Sequence, residues 1–98
     1  MNYVVVFRPK AHDELNEAYT WYESQQSGLG DEFLDCVDDV INRICLMPES
    51  YAIVYRDIRR AVVKRFPYSV YYRIVSSRVI VIAIFHGRRD PKAWQSRV

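Results

Sequence analysis

The chain has 98 residues, 50% of them hydrophobic and 27% charged, with a formal net charge of +2. That is one domain, residues 1–98, with material for a single modest core. No apolar run approaches the ~20 residues of a bilayer span, and "MNYVVVFRPK" lacks the layout of a signal peptide, so no membrane association and a cytoplasmic location are expected.

"YVVVF", Tyr3 to Phe7, is β-branched and aromatic and predicts a strand. Pro9 then suits the approach to a helix. From about Lys10 to Gln26, Ala11, Leu15, Ala18 and Tyr22 recur at helical spacing, which predicts an amphipathic helix. Asp13, Glu14 and Glu17 are expected in its early turns, where the dipole favours acids. "SGLG", Ser27 to Gly30, is a break that allows a tight reversal. A second helix is predicted from about Asp31 to Met47, with Phe33, Val37, Val40, Ile41 and Ile44 as its buried stripe and Pro48 as its stop. The short connection makes the pair an antiparallel hairpin. Cys36 and Cys45 fall on opposite faces of this helix with Cα atoms about 13 Å apart, too far for a disulfide. No compact Cys/His cluster exists, so no metal or other cofactor is expected.

Strands follow. "YAIVYRD" holds a short one, and "RRAVVKRF", Arg59 to Phe66, predicts a clearer one. "PYSVYYRIV" starts another after Pro67, with Tyr68, Val70, Tyr72 and Ile74 on one face. Ser76 and Ser77 turn the chain into "RVIVIAIFH", Arg78 to His86, which is apolar on both faces and is therefore expected inside the sheet. The order implies an α+β fold, a helical hairpin packed on one face of a small, mainly antiparallel sheet, β-α-α-β-β-β.

The net charge conceals an asymmetry. From Ala11 to Ser50 there are ten acids and one base, a net of −9; from Tyr51 to Val98 there are eleven bases and two acids, a net of +9. Such a distribution predicts a molecule with an acidic helical side and a basic surface elsewhere, although part of the charge must pair internally. In "HGRRD", Gly87 frees the backbone at the end of the last strand, Arg88 and Arg89 present forks suited to phosphate or carboxylate, and Asp90 stands by to hold one of them. On "RRAVVKRF", Arg60 and Lys64 are expected on one face and Arg59 and Arg65 on the other; a row of them near Arg73 and Tyr71 or Tyr72 would suit nucleic acid, whose bases stack on aromatics. His86 is either a general acid/base near neutral pH or, more simply, a structural hydrogen-bonding residue. No nucleophile motif, phosphate loop or metalloprotease motif accompanies it. Trp94 is expected to pack back on the body, and Trp21 to rim a groove.

The Tyr-rich first helix with its "A-x-x-E-L", "PESY", "RFPYSVYYRI" and the terminal "VIAIFHGRRDP-x-x-W" together resemble the RelE/ParE superfamily of bacterial type II toxins, over nearly the whole chain. The resemblance implies a growth-inhibiting toxin made beside a cognate antitoxin, joined with it in a hetero-oligomer that silences it. The RelE-like branch implies a ribosome-dependent mRNA endoribonuclease, for which Lys64, Arg65, Arg73, His86 and Arg88 are the candidate residues around the scissile phosphate. The ParE-like branch implies a protein that poisons DNA gyrase without hydrolytic chemistry, and the "FHGRRD" ending and the lack of any tyrosine after Tyr72 favour it. On that reading Arg73, His86, Arg88 and Arg89 contact the target, while Trp21, Tyr71 and Trp94 receive the antitoxin.

Overall fold

The computed structural model describes residues 2–98. Strand β1 (Val4–Phe7) leads through Arg8 into helix α1 (Pro9–Gln25), with Pro9 in the first turn, where its missing N–H costs no hydrogen bond. Ala11, Ala18 and Tyr22 are buried, as their spacing requires. Helix α2 (Leu29–Leu46) starts two residues earlier than its sequence suggests. Gly28 takes a left-handed φ of 89°, which only glycine adopts freely, and the Glu23 carboxylate accepts the Gly28 and Gly30 N–H groups at 3.0 and 2.9 Å. A side chain on α1 thus caps the start of α2, and the break shrinks accordingly. Gly30 serves closeness: a Cβ there would lie 2.8 Å from the ring and the carbonyl of Tyr19. The five apolar stripe residues of α2 are all buried. Cys36 and Cys45 are free and half-buried, and burial pushes the Cys45 thiol up.

A 3₁₀ turn (Pro48–Ser50) follows, then β2 (Ile53–Tyr55), β3 (Ile58–Val62), β4 (Tyr68–Val75), β5 (Arg78–His86) and a last helical turn, α3 (Lys92–Gln95). The sheet order is β1-β5-β4-β3-β2, with β1 parallel to β5 and the other neighbours antiparallel. β5 has a strand on each side, and Val79 through Phe85 are all buried, which is what its two-sided apolarity predicts. The expected strand Arg59–Phe66 is corrected at its end. β3 stops at Val62, and Arg65 takes a positive φ of 70° in the reversal before β4. The segment has no Gly, Asn or Asp to announce a turn. Pro67 nevertheless forbids continuation of the ladder, because it carries no N–H.

Two clusters flank the sheet. The larger lies under α1 and α2 and contains Phe33, Val37, Ile44, Val70, Tyr72, Val79 and Val81, with Tyr68 and Ile74 against it. Tyr72 donates its hydroxyl to the Pro48 carbonyl at 2.6 Å, and burial pushes its pKa up to about 12. The smaller cluster, on the opposite face, joins Ile58, Tyr71, Ile80, Ile82 and Phe85 to Trp94. An extra residue in β5 opposite the Tyr71/Tyr72 step lets both clusters keep apolar residues.

Candidate target-binding face

The sheet face away from the helical hairpin is covered mainly by the C-terminal segment. Trp94 is almost fully buried and stacks on Tyr71 with ring centroids 4.4 Å apart, while Tyr55 meets it edge-on at 5.8 Å. The Trp94 indole N–H has no acceptor among the described residues. Beside this stack lies a cavity of about 230 Å³, with Arg60, Tyr71, Phe85, His86, Arg89 and Trp94 in its wall. Arg89 lies over the Phe85 ring at 4.2 Å, a cation–π placement that holds the guanidinium at the rim.

The tail is anchored by a residue whose role the sequence did not announce. β1 ends at Phe7, so the edge of β5 from Ile82 onward has no neighbouring strand in register. Glu14 of α1 fills the gap. It accepts the Ile84 N–H at 3.2 Å and is gripped by Arg97 through two hydrogen bonds of 3.0 and 2.7 Å. Arg97 also donates to the Ile82 carbonyl at 3.1 Å, and Arg89 stands 3.7 Å from the same carboxylate. Glu14 and Arg97 are only 10% and 15% exposed, so this is a largely buried, hydrogen-bonded ion pair. A signal was present: Glu14 falls three residues after Ala11 and four before Ala18, on the buried stripe itself. The dipole explanation of the early acids fails, because the first turn of α1 carries none of them.

His86 uses its Nδ1 to accept the Arg88 N–H at 3.0 Å, and its ring packs edge-on against Tyr68 at 5.2 Å. With Nδ1 accepting, Nε2 is the ring nitrogen left to donate. Arg88 is exposed, and its side chain has no ionic partner among the described residues. Asp90 does not hold an arginine; its carboxylate accepts the Lys92 N–H at 3.0 Å and starts α3.

The expected cationic set divides between two sides of the molecule. Arg65 reaches α2 and pairs with Glu32 at 3.0 Å. Lys64 is exposed in the same turn. Arg73 donates from Nε and Nη2 to the two oxygens of Asp57 at 3.1 and 2.8 Å, a bond that holds the Asp57 carboxyl below the usual range. Arg73 pairs with Ile80 and Tyr68 with His86 across the β4–β5 ladder, so Arg73 and His86 stand at opposite ends of the sheet, about 20 Å apart at 3.3 Å per residue. Lys64, Arg65, Arg73 and His86 therefore do not surround one phosphate. Arg60, absent from the expected contact set, instead lines the cavity with Arg89. Of the three aromatic residues expected to receive a partner, Tyr71 and Trp94 are buried against each other; Trp21 is 57% exposed.

Among the described residues no helix is long and apolar enough to cross a membrane. Comparison with known proteins gives a consistent result. A relative named Toxin ParE2, found in two strains of Mycobacterium tuberculosis, is 28% identical over 87 residues, covering 88% of this chain and 83% of the relative. The fold is similar to that of the free E. coli toxin RelE carrying two arginine-to-alanine changes, at a TM-score of 0.72 and 16% identity over 98% of this chain and 93% of that one. It is also similar to a chain of the chromosomal ParDE toxin–antitoxin system from P. aeruginosa, at a TM-score of 0.64 and 16% identity over 86% and 95% of the two chains. The family model described as the ParE toxin of the type II toxin–antitoxin system parDE matches residues 5–91. With its helical hairpin, its five-stranded mixed sheet and a match over most of its length, the chain belongs to the ParE toxin family of type II toxin–antitoxin systems.

Proposed function

We propose that the protein is a growth-inhibiting toxin that acts by docking on DNA gyrase through the sheet face bearing Arg60, Arg88 and Arg89, and that a cognate antitoxin neutralises it. The observation that carries the docking reading, as opposed to RNA cleavage, is the dispersal of the acid/base candidates. Arg65 is bound to Glu32, Arg73 to Asp57, and the Nδ1 of His86 to a backbone N–H. A phosphoryl-transfer site needs its proton shuttle and its charge stabilisers around one phosphate. A docking surface needs only accessible cations beside apolar anchors, and exposed Arg88 with the cavity rim at Arg60 and Arg89 offers that arrangement.

The antitoxin contact falls on Trp21, whose open ring borders the α1 surface of Asn16, Thr20 and Ser24. An amphipathic segment laid along α1 would cover the ring, and its acids would meet the basic tail. Expression of the toxin with parallel assays of gyrase supercoiling and of mRNA integrity on ribosomes tests the proposal. Inhibited supercoiling with intact mRNA is expected. Ribosome-dependent cuts with normal supercoiling would instead assign the protein the endoribonuclease role of the RelE-like branch.

A further inference from the structure

A second concave region flanks the other end of the C-terminal segment. Its volume is about 480 Å³, within the range of small-molecule sites. Four cationic side chains line it, Arg8, Lys10, Arg73 and Arg97, over an apolar floor that includes Ile82 and Val98. Among the described residues it shares no lining residue with the target-binding cavity, and no acidic side chain lines it.

The four cations have different tasks. Arg73 and Arg97 are held in fixed orientation by the two-point bonds to Asp57 and Glu14, which also balance their charge. Arg73 keeps a donor in reserve, since its hydrogen bonds use only Nε and Nη2. Arg8 and Lys10 are exposed and have no ionic partner among the described residues, so they supply the uncompensated charge. The start of α1 adds to it, since Arg8 offers no capping acceptor and the first turn contains no acid.

We infer that this region binds a polyphosphorylated nucleotide, either free or as the 5′ end of a nucleic acid. Several cations around one cavity exceed what a single carboxylate requires, and guanidinium forks match phosphate oxygens. The apolar floor accommodates the nucleoside, whose flat face needs no polar partner. The free Nη1 of Arg73 then reads the phosphates in a fixed geometry, while Arg8 and Lys10 contribute the attraction.

Calorimetric titration of the purified full chain with ATP, with a 5′-triphosphorylated oligoribonucleotide and with its 5′-hydroxyl counterpart tests the inference. ATP or the triphosphorylated oligonucleotide should bind, whichever binds more tightly identifying the source of the phosphates. The double variant Arg8→Ala with Lys10→Ala should weaken that binding at least tenfold, whereas Arg60→Ala should leave it unchanged. In the wild-type chain, amide resonances of Lys10, Ile82 and Arg97 should shift with ATP. Absence of binding by both phosphorylated ligands, equal affinity in the double variant, or equal binding of the 5′-hydroxyl oligonucleotide would overturn it.

Discussion

The two faces of the sheet are built differently. One is sealed under α1 and α2 by aromatic and branched side chains, with Tyr22, Phe33, Phe66 and Tyr68 in mutual contact at centroid distances of 4.8 to 6.1 Å. The other is closed by one indole on a four-residue helix and by one largely buried ion pair. A sheet needs both faces covered to keep apolar strands from water, and here the second cover is small, local and ringed by cations. On the docking reading proposed above, the hairpin side holds the fold and the tail side meets the target.

Substitutions should separate these roles in order of size. Phe33→Ala removes a fully buried ring from the hairpin side and should cost about 3–5 kcal/mol of global stability, read as a loss of unfolding midpoint in denaturant. Glu14→Gln leaves the largely buried Arg97 without its charge partner and should cost about 1–3 kcal/mol, with faster amide exchange concentrated between Arg88 and Val98. Equal protection of the tail in this variant would contradict the anchoring role. Gly30→Ala forces a Cβ against Tyr19 and should cost about 1–3 kcal/mol. Tyr72→Phe strips the Pro48 carbonyl of its buried donor and should cost about 1–2 kcal/mol.

The smallest effect concerns acid. The Asp57 carboxyl is depressed by its hydrogen bonds from Arg73, so the pair stabilises the fold above the unfolded-state value near 3.9 and loses that contribution as pH falls through the lower folded-state value. Both the exposure of Asp57 and salt screening limit this to less than about 1 kcal/mol. Asp57→Asn should therefore lower neutral stability by that amount, less than about 1 kcal/mol, and flatten the acid limb of the stability profile to match.

Much of the hairpin side was legible in the sequence, because helical spacing and two-sided apolarity report burial directly. The stripes of α1 and α2 and the interior place of β5 follow from Ala11, Phe33, Val37 and the run Val79–Phe85. The tail side was legible in composition only. Its charges sit in the expected half of the chain, but pairing across 83 residues, as between Glu14 and Arg97, or across 33, as between Arg65 and Glu32, leaves no local trace. The turn at Lys64–Pro67 was missed because Arg65, not a glycine, adopts the left-handed backbone. Trp94 was correctly expected to pack back on the body, yet that packing buries Tyr71, which sequence reasoning had assigned to a partner.

The central claim is that exposed cations at the end of β5, and no assembled catalytic centre, engage the target. Direct binding of the purified chain to DNA gyrase, wild type against the double variant Arg88→Ala with Arg89→Ala, tests it most closely. The account predicts binding by the wild type that weakens at least tenfold in the variant and with rising salt, at an unchanged unfolding midpoint. Equal binding by the two proteins, or no binding by the wild type, would contradict it.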